Sequence, residues 1–125
     1  MKKLSDSEFE IMKVLWKENK ALTSNEILDG VNDKLDWKLA SLMTALARMV
    51  DKGYVCCDRS TRTNYYSAIV SEEQYKIEES ESFLEKLYDK SATKLIASLY
   101  KGSKISGKEI KDLRAYLDSL EEKDK

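Results

Sequence analysis

The stretch DWKLASLMTALARMVDKG, residues 36–53, predicts the architecture of this chain. Its apolar side chains recur at helical spacing, which predicts one helix over the whole stretch with a core-facing stripe. That predicted stripe consists of Leu39, Leu42, Leu46, Met49 and Val50. A second face is small, hydroxyl-bearing and basic, and it consists of Ser41, Ala45, Arg48 and Lys52, with Thr44 at its edge. Gly53 is expected to end the helix in a left-handed conformation.

The second face of this helix has the properties that a helix needs to enter the major groove of DNA. Short side chains let the helix approach closely, and arginine or lysine can bind phosphates or guanine edges. An ordinary amphipathic helix with a solvated outer face would show the same pattern, because charged outer faces are common. The helix taken alone leaves both interpretations open.

The neighbouring helices are marked by capping boxes, in which Ser or Thr is followed three residues later by Glu or Gln. Such boxes begin at Ser5, Thr23, Ser71 and Ser106. Apolar residues at helical spacing follow each of them, and a further short helix is predicted over residues 93–100. The chain is therefore expected to be mainly α-helical.

The exception is a segment between Gly53 and Ser71, where two β-type runs flank a polar stretch. The polar stretch contains Arg59 and Arg62, so a hairpin with a basic tip is predicted. Three helices followed by a hairpin is the order of a winged helix-turn-helix, in which the wing contacts phosphates or the minor groove. The predicted fold class is mainly α with a small β-hairpin wing.

The C-terminal part carries more apolar surface than three short helices are expected to bury by themselves. We therefore predict a winged-helix DNA-binding domain over residues 1–70 and a helical dimerisation domain over residues 71–125. A monomer whose C-terminal helices fold onto the winged helix is the alternative. The predicted dimerisation residues are Phe83, Leu87, Leu95, Leu99, Leu113 and Leu117.

Composition argues against an enzyme. The chain of 125 residues has no histidine, the commonest general base and metal ligand. Its cysteines, Cys56 and Cys57, are adjacent on a predicted strand and point to opposite faces, so they suit neither a chelate nor a disulfide. We expect one of them to be buried and one edge-facing, and we predict no catalytic site, metal or cofactor. Without a signal peptide or an apolar run of membrane length, a cytoplasmic protein with no membrane contact is expected.

Charge favours DNA binding only mildly. Residues 36–67 carry five basic and three acidic side chains, whereas many DNA-binding domains are far more basic. Such a module is expected to bind DNA as a dimer or with modest affinity. The alternative is a winged-helix protein-interaction module without DNA binding, which the low basicity favours and which Arg48 and the basic hairpin tip oppose.

Several segments taken in order resemble the penicillinase-repressor and methicillin-resistance-repressor family, which includes copper-responsive members. The resemblance covers residues 4 to about 120. It is carried by LSDSEFEIMKVLW (4–16), TSNEI (23–27), DWKLASLMTALARMVDKGYV (36–55), YYSAIVSEEQY (65–75), ESFLEKLYD (81–89) and KEIKDLRAYLD (108–118). Each piece is weak alone, but the ordered set is specific.

The resemblance implies a homodimer that represses transcription at a dyad-symmetric double-stranded DNA operator. The predicted DNA-binding residues are Lys38, Ser41, Met43, Thr44, Arg48, Arg59 and Arg62. The chain departs from the family where Ala40 and Met43 replace two lysines near the start of the recognition helix, so sequence readout is expected to differ. The tail has no cysteine, which argues against the copper-responsive mechanism.

The resemblance also suggests an inducing signal. Antibiotic-responsive members are inactivated by cleavage of an Asn-Phe bond in the fifth helix, and the aligned pair here is Ser98 and Leu99. A membrane sensor-protease is the partner that this route implies. The residues at the aligned bond differ from those of the family.

Overall fold

The computed structural model of this protein describes residues 3–32 and 34–124. The order of elements is α1 (Asp6–Glu18), α2 (Ser24–Val31), α3 (Leu39–Lys52), β1 (Val55–Asp58), β2 (Tyr65–Ala68), α4 (Glu72–Tyr88), α5 (Ala92–Lys101) and α6 (Gly107–Lys123). Three helices followed by an antiparallel hairpin and further helices confirm the predicted fold class.

The capping residues that were predicted from the sequence start their helices in the structure. The Ser5 hydroxyl accepts a hydrogen bond from the Glu8 amide at 3.2 Å, and the Ser5 amide donates to Glu8 Oε1 at 2.8 Å. Thr23 and Glu26 form the same reciprocal box at the start of α2. The hydroxyls of Ser71 and Ser106 cap α4 and α6. These caps satisfy amides that have no partner within the helix.

The whole stretch was expected to be helical from Asp36, with the recognition helix at about residues 38–52, and the observed start of α3 agrees with the second of these bounds. Lys38 is its N-cap, without a side-chain cap hydrogen bond, and the first helical residue is Leu39 rather than Asp36. Two backbone amides ahead of α3 form hydrogen bonds within tight turns. Leu35 N donates to Val31 O and Trp37 N donates to Leu35 O, both at 2.8 Å. The end was predicted correctly, since Gly53 adopts φ 87° and closes the helix.

The chain divides into two compact units, residues 1–76 and 77–125. The boundary lies within α4, after the 70/71 division that was predicted, because Tyr75 packs into the first unit. Its ring stacks on Phe9 with centroids 5.7 Å apart and lies the same distance from Trp16. The first turn of α4 therefore belongs structurally to the winged helix.

Helix α3 packs against α1, α2 and β1 through a stripe that is shifted around the helix from the predicted one. Leu42, Leu46 and Met49 are fully buried, and Ala45 is buried beside them. Ala45 had been assigned to the outer face, and this prediction was wrong. Leu39 and Val50 had been assigned to the core but are 41% and 37% exposed. The buried stripe is centred on Leu42 and Met49, and Leu39 and Val50 lie beyond one edge of it.

Close helix packing in the first unit depends on one glycine. A Cβ atom at Gly30 in α2 would lie 2.7 Å from Val14 Cγ1 of α1, well inside van der Waals contact. A side chain there would force the Val14 side chain to shift or α2 to move away from α1. Because α2 also packs against α3, Gly30 helps to set the position of α3.

The hairpin pairs β1 with β2 in register from Val55 opposite Ala68 to Asp58 opposite Tyr65. Leu22, ahead of α2, adds a bridge to Tyr66, with Leu22 N donating at 2.9 Å and Tyr66 N at 2.7 Å. This bridge ties the hairpin to the helices. The prediction that one cysteine is buried was wrong, because Cys56 is exposed and Cys57 is half-buried. A four-residue strand at the edge of the core covers neither thiol completely.

The second unit has no buried residue within 77–124. Phe83, Leu87 and Leu117 are 46%, 58% and 49% exposed, and Leu99 is 38% exposed. Leu95 and Leu113 are half-buried. The apolar side chains that were predicted to form a dimer interface are therefore present on the surface of the single chain.

Candidate nucleic-acid interface

The predicted recognition residues lie on the exposed side of α3. Lys38 occupies its N-cap, and Ser41, Met43, Thr44 and Arg48 all expose their side chains. Arg48 forms no ion pair within residues 3–32 and 34–124. Its guanidinium therefore keeps its donors available for a ligand.

A groove of about 460 Å³ lies between the start of α1 and the polar edge of α3. It brings together Ser41, Thr44 and Arg48, three of the predicted residues. The remaining lining comes from Ser5, Ser7, Glu8, Trp37, Ala45 and Lys52. The other four predicted residues, Lys38, Met43, Arg59 and Arg62, do not line this groove. The sequence analysis did not assign Ser5, Ser7 or Trp37 to the DNA-binding surface. The position of Trp37 just before α3 was the one sequence feature that could have indicated its place in the groove.

Lys52 lines the same groove as Arg48, as the shared face predicted, but its ammonium is paired within the protein and is not free for a ligand. Its ammonium donates to Glu8 Oε1 at 2.6 Å and to the carbonyl of Lys3 at 3.2 Å. The Glu8 side chain is only 5% exposed and that of Lys52 is 22% exposed. The pair joins the start of α1 to the last turn of α3. Residues 44 positions apart form it, which is why no local pattern revealed it.

The electrostatics of this pair favour ionised Glu8. Burial raises the pKa of Glu8, but hydrogen bonds from Lys52 and from Ser5 outweigh the burial and hold the pKa below its ordinary value. Glu8 Oε2 is buried and has no hydrogen-bond partner among the described residues. The carboxylate therefore depends on the donors that reach its other oxygen.

The tip of the hairpin is a polar turn with internal hydrogen bonds. Asp58 accepts a bond from the Ser60 amide at 2.9 Å, and hydrogen bonds from Ser60 hold the pKa of Asp58 below its ordinary value. The Thr61 hydroxyl donates to the carbonyl of Thr63 at 2.7 Å. These bonds give the exposed loop a defined shape that presents its two arginines.

The two hairpin arginines differ in their surroundings. A hydrogen bond to the Cys57 side chain raises the pKa of the Arg59 guanidinium. Arg62 lies exposed in the turn itself. Arg59 directly follows the last residue of β1, whereas Arg62 is adjacent to neither strand.

Other kinds of site find little support in the described part of the chain. No three His, Cys, Asp or Glu side chains within it lie close enough together to bind a metal ion. None of its helices combines the length and apolar content that a membrane span requires. The aligned cleavage pair, Ser98 and Leu99, lies exposed within α5.

Comparison with known proteins identifies a family and several relatives of this chain. The chain matches the profile of the penicillinase repressor family over residues 4–119. It is 28% identical over 115 residues to the penicillinase repressor of Bacillus licheniformis, covering 92% of this chain and 89% of that protein. It is 25% identical over 115 residues to the methicillin resistance regulatory protein MecI of Staphylococcus aureus, covering 92% and 93%.

Two solved structures resemble part of the chain. The DNA-binding domain of the repressor BlaI matches with a TM-score of 0.51 and 31% identity, covering 60% of this chain and 94% of that domain. The monomeric form of Bacillus licheniformis BlaI in complex with the blaP half-operator matches with a TM-score of 0.50 and 28% identity, covering 59% and 89%. The family that the sequence motifs predicted is thereby confirmed. This chain belongs to the penicillinase repressor family.

Proposed function

We propose that this protein is a DNA-binding transcriptional repressor that binds a dyad-symmetric operator as a homodimer. Helix α3 enters the major groove, and the β1–β2 hairpin contacts the backbone beside it. The observation that carries the proposal is the exposed polar edge of α3, where Arg48, Ser41 and Thr44 line one groove. Cationic and hydroxyl groups on one helix face match phosphates and base edges.

Homodimerisation through the second unit supports the same mechanism. Residues 77–124 contain no fully buried residue in the single chain, and they expose Phe83, Leu87, Leu117 and other apolar side chains. Apolar surface of this kind is typical of protein interfaces. A symmetric dimer would cover that surface and double the phosphate contacts of a weakly basic module. It would also match two half-sites related by a dyad.

A gel shift at several salt concentrations tests the proposal. The probe is duplex DNA from upstream of the protein's own gene, with shuffled DNA of equal composition as control. We expect a specific complex whose affinity falls linearly on a logarithmic salt scale, because phosphate binding releases counterions. Equal binding to both duplexes, or binding to neither, would favour the protein-interaction alternative.

Arg48→Ala is expected to weaken operator binding by about 1–3 kcal/mol if Arg48 reads a base. If Arg48 instead binds phosphate, the loss should be uniform across sequences and the salt slope should fall by about one. Lys17→Ala, which removes a positive charge from the exposed end of α1, is the matched control and should change little. Fluorescence anisotropy on operator and shuffled duplexes separates these results, and unchanged binding by an intact dimer removes Arg48 from the interface.

Replacing Arg59 and Arg62 together with Ala is expected to reduce the salt slope by up to about two per subunit. The matched control replaces both with Lys, which keeps the point charges while losing the planar guanidinium. The slope of log K against log salt should therefore be retained in the Lys variant. An Ala variant with the wild-type slope would show that the hairpin does not touch DNA.

Inactivation by a sensor-protease stays a prediction. The Ser98–Leu99 bond lies inside α5, which residues Ala92–Lys101 form, so a protease would need to open that helix locally. Incubating the protein with membranes from induced cells, followed by mass measurement, would locate any cut. Fragments that end elsewhere would assign the inducing signal to a different site.

A further inference from the structure

The outer face of α3 carries an exposed apolar strip in addition to its polar edge. Leu39 and Met43 are 41% and 38% exposed. Ala40 and Ala47 are also exposed and lie on the same side of the helix. A row of exposed apolar side chains on a helix that already faces a ligand points to a contact surface.

The first two turns of α3 have few side chains that can form hydrogen bonds with bases. Residues 38–44, KLASLMT, contain no Asn, Gln, Asp, Glu or Arg. The Thr44 hydroxyl already donates to the carbonyl of Ala40 at 3.1 Å, so its proton is used within the helix. Asn and Gln are the side chains that recognise adenine with two hydrogen bonds. The N-terminal part of a recognition helix is the part that meets base edges, so this mode is missing where it would act.

We propose that the start of α3 reads thymines in the operator through their C5-methyl groups, with Met43 and Leu39 as the contacting side chains. This inference rests on the proposed function, because it requires α3 to lie in the major groove. The thymine methyl is the one apolar group that base pairs present there. Methionine is flexible and polarisable, so it adapts to a methyl group that lies among polar edges.

Charge on the same helix favours DNA over a protein as the occupant of this strip. Helix α3 and its N-cap carry three cations, Lys38, Arg48 and Lys52, against one acid, Asp51, which lies in the last turn. Lys38 and Arg48 are exposed and flank the strip along the helix. An apolar strip between phosphate-binding groups fits a groove floor lined by methyl groups. A protein partner would need no cations at both ends of the strip.

The test removes single methyl groups from DNA. Operator sequences are first selected with the full-length protein from a random duplex pool, and each thymine is then replaced in turn by deoxyuridine. This substitution deletes the C5-methyl group and leaves every hydrogen-bonding group in place. We expect one or more thymines per half-site at which binding weakens by about fourfold, the effect of one buried methyl-sized group. Thymines outside the contacted positions should tolerate the change.

Two variants connect this effect to the strip. Met43→Gln keeps the length of the side chain and its helix propensity, and it should make at least one sensitive thymine insensitive to deoxyuridine. Val50→Ala is the matched control, because Val50 is equally exposed but lies in the last turns, away from the bases. It should keep the wild-type discrimination. Both variants change exposed positions, and their folding is checked by thermal unfolding.

The outcomes separate the two levels of the proposal. If the random pool yields no preferred sequence, operator binding itself fails, and methyl reading fails with it. If a preferred sequence is bound but no deoxyuridine substitution weakens it, the proposed function stands and methyl reading is wrong. Loss of discrimination in Val50→Ala as well would assign the effect to the helix as a whole and would also overturn the role of Met43. An altered oligomeric state of Met43→Gln with no methyl effect would identify the strip as a protein contact.

Discussion

Leu117→Glu is expected to convert the protein to a monomer and to abolish most operator binding. Leu117 is 49% exposed in the single chain, so about half of its side chain remains to be covered by a partner. Losing that contact costs about 1 kcal/mol per copy, and burying an unpaired carboxylate costs several kcal/mol more. Dimerisation should therefore weaken by more than about 100-fold. Sedimentation at micromolar concentration should give the 14.4 kDa mass of one chain.

The control for Leu117→Glu is Ser119→Glu, which adds the same charge to an exposed position on another side of α6. This variant should remain a dimer and keep operator binding. Both tryptophans, Trp16 and Trp37, lie in the first compact unit, so their fluorescence reports on the winged helix alone. We expect that signal to be unchanged in both variants. A wild-type protein that already sediments as a monomer would contradict both the dimer and the two-half-site mechanism.

The winged helix could be predicted because the residues that begin and end its helices act locally. A capping box uses two side chains three residues apart, and the boxes at Ser5 and Thr23 form in the structure as the sequence indicated. The left-handed end at Gly53 is also a local property, since only glycine adopts it at little cost. The hairpin follows from two short β-type runs around a polar turn. Each of these features is decided within a few residues, so sequence alone is sufficient.

Which side of α3 is buried could not be predicted with the same accuracy, because packing against the other elements decides it. A helical wheel with 100° per residue placed Leu39 and Val50 in the core. The helices and strand that pack on α3 instead cover a stripe centred on Leu42 and Met49. Ala45 is buried because a small side chain permits close packing. The same shift exposes Leu39, which had been assigned to the core, beside Met43, which had been assigned to the DNA-binding surface.

The role of Lys52 was also beyond the reach of a local pattern. Lys52 lies on the same side of the helical wheel as Arg48, so it was predicted to be a second cation on the binding face. The structure pairs it instead with Glu8, a residue that the sequence indicated only as the acidic member of a capping box. One carboxylate oxygen thus accepts from both Ser5 and Lys52. This arrangement makes a local cap part of a long-range contact.

Lys52→Met is expected to destabilise the winged helix by about 2–3 kcal/mol. Removing one partner of a buried ion pair typically costs 3–5 kcal/mol, and the 22% exposure of the Lys52 side chain lets water recover part of it. Glu8 would lose its only side-chain cation among the described residues while Oε2 remains unpartnered. Urea unfolding followed by tryptophan fluorescence measures the change. Lys76→Met is the matched control, because its pair with Glu72 spans 3.6 Å on the exposed surface of α4 and should change stability little.

The double variant Glu8→Gln with Lys52→Met separates a buried charge from lost packing. Neutral Gln can still accept from the Ser5 amide and carries no charge that needs a cation. The double variant should therefore be more stable than Lys52→Met alone. Equal instability of the two variants would assign the effect to the lysine chain and not to the uncompensated carboxylate.

Acid should remove the advantage that ionised Glu8 gives the wild type over Glu8→Gln. Because the pKa of Glu8 is lower in the folded protein than its ordinary value of 4.5, the folded state favours the carboxylate. That stabilisation is fully present above the unfolded pKa and is lost as the pH falls through the folded pKa. The difference in unfolding free energy between wild type and Glu8→Gln should thus be constant near neutrality and shrink below about pH 4.5. A difference that stays constant down to pH 3, well below that value, would show that the ionised carboxylate does not hold α1 to α3.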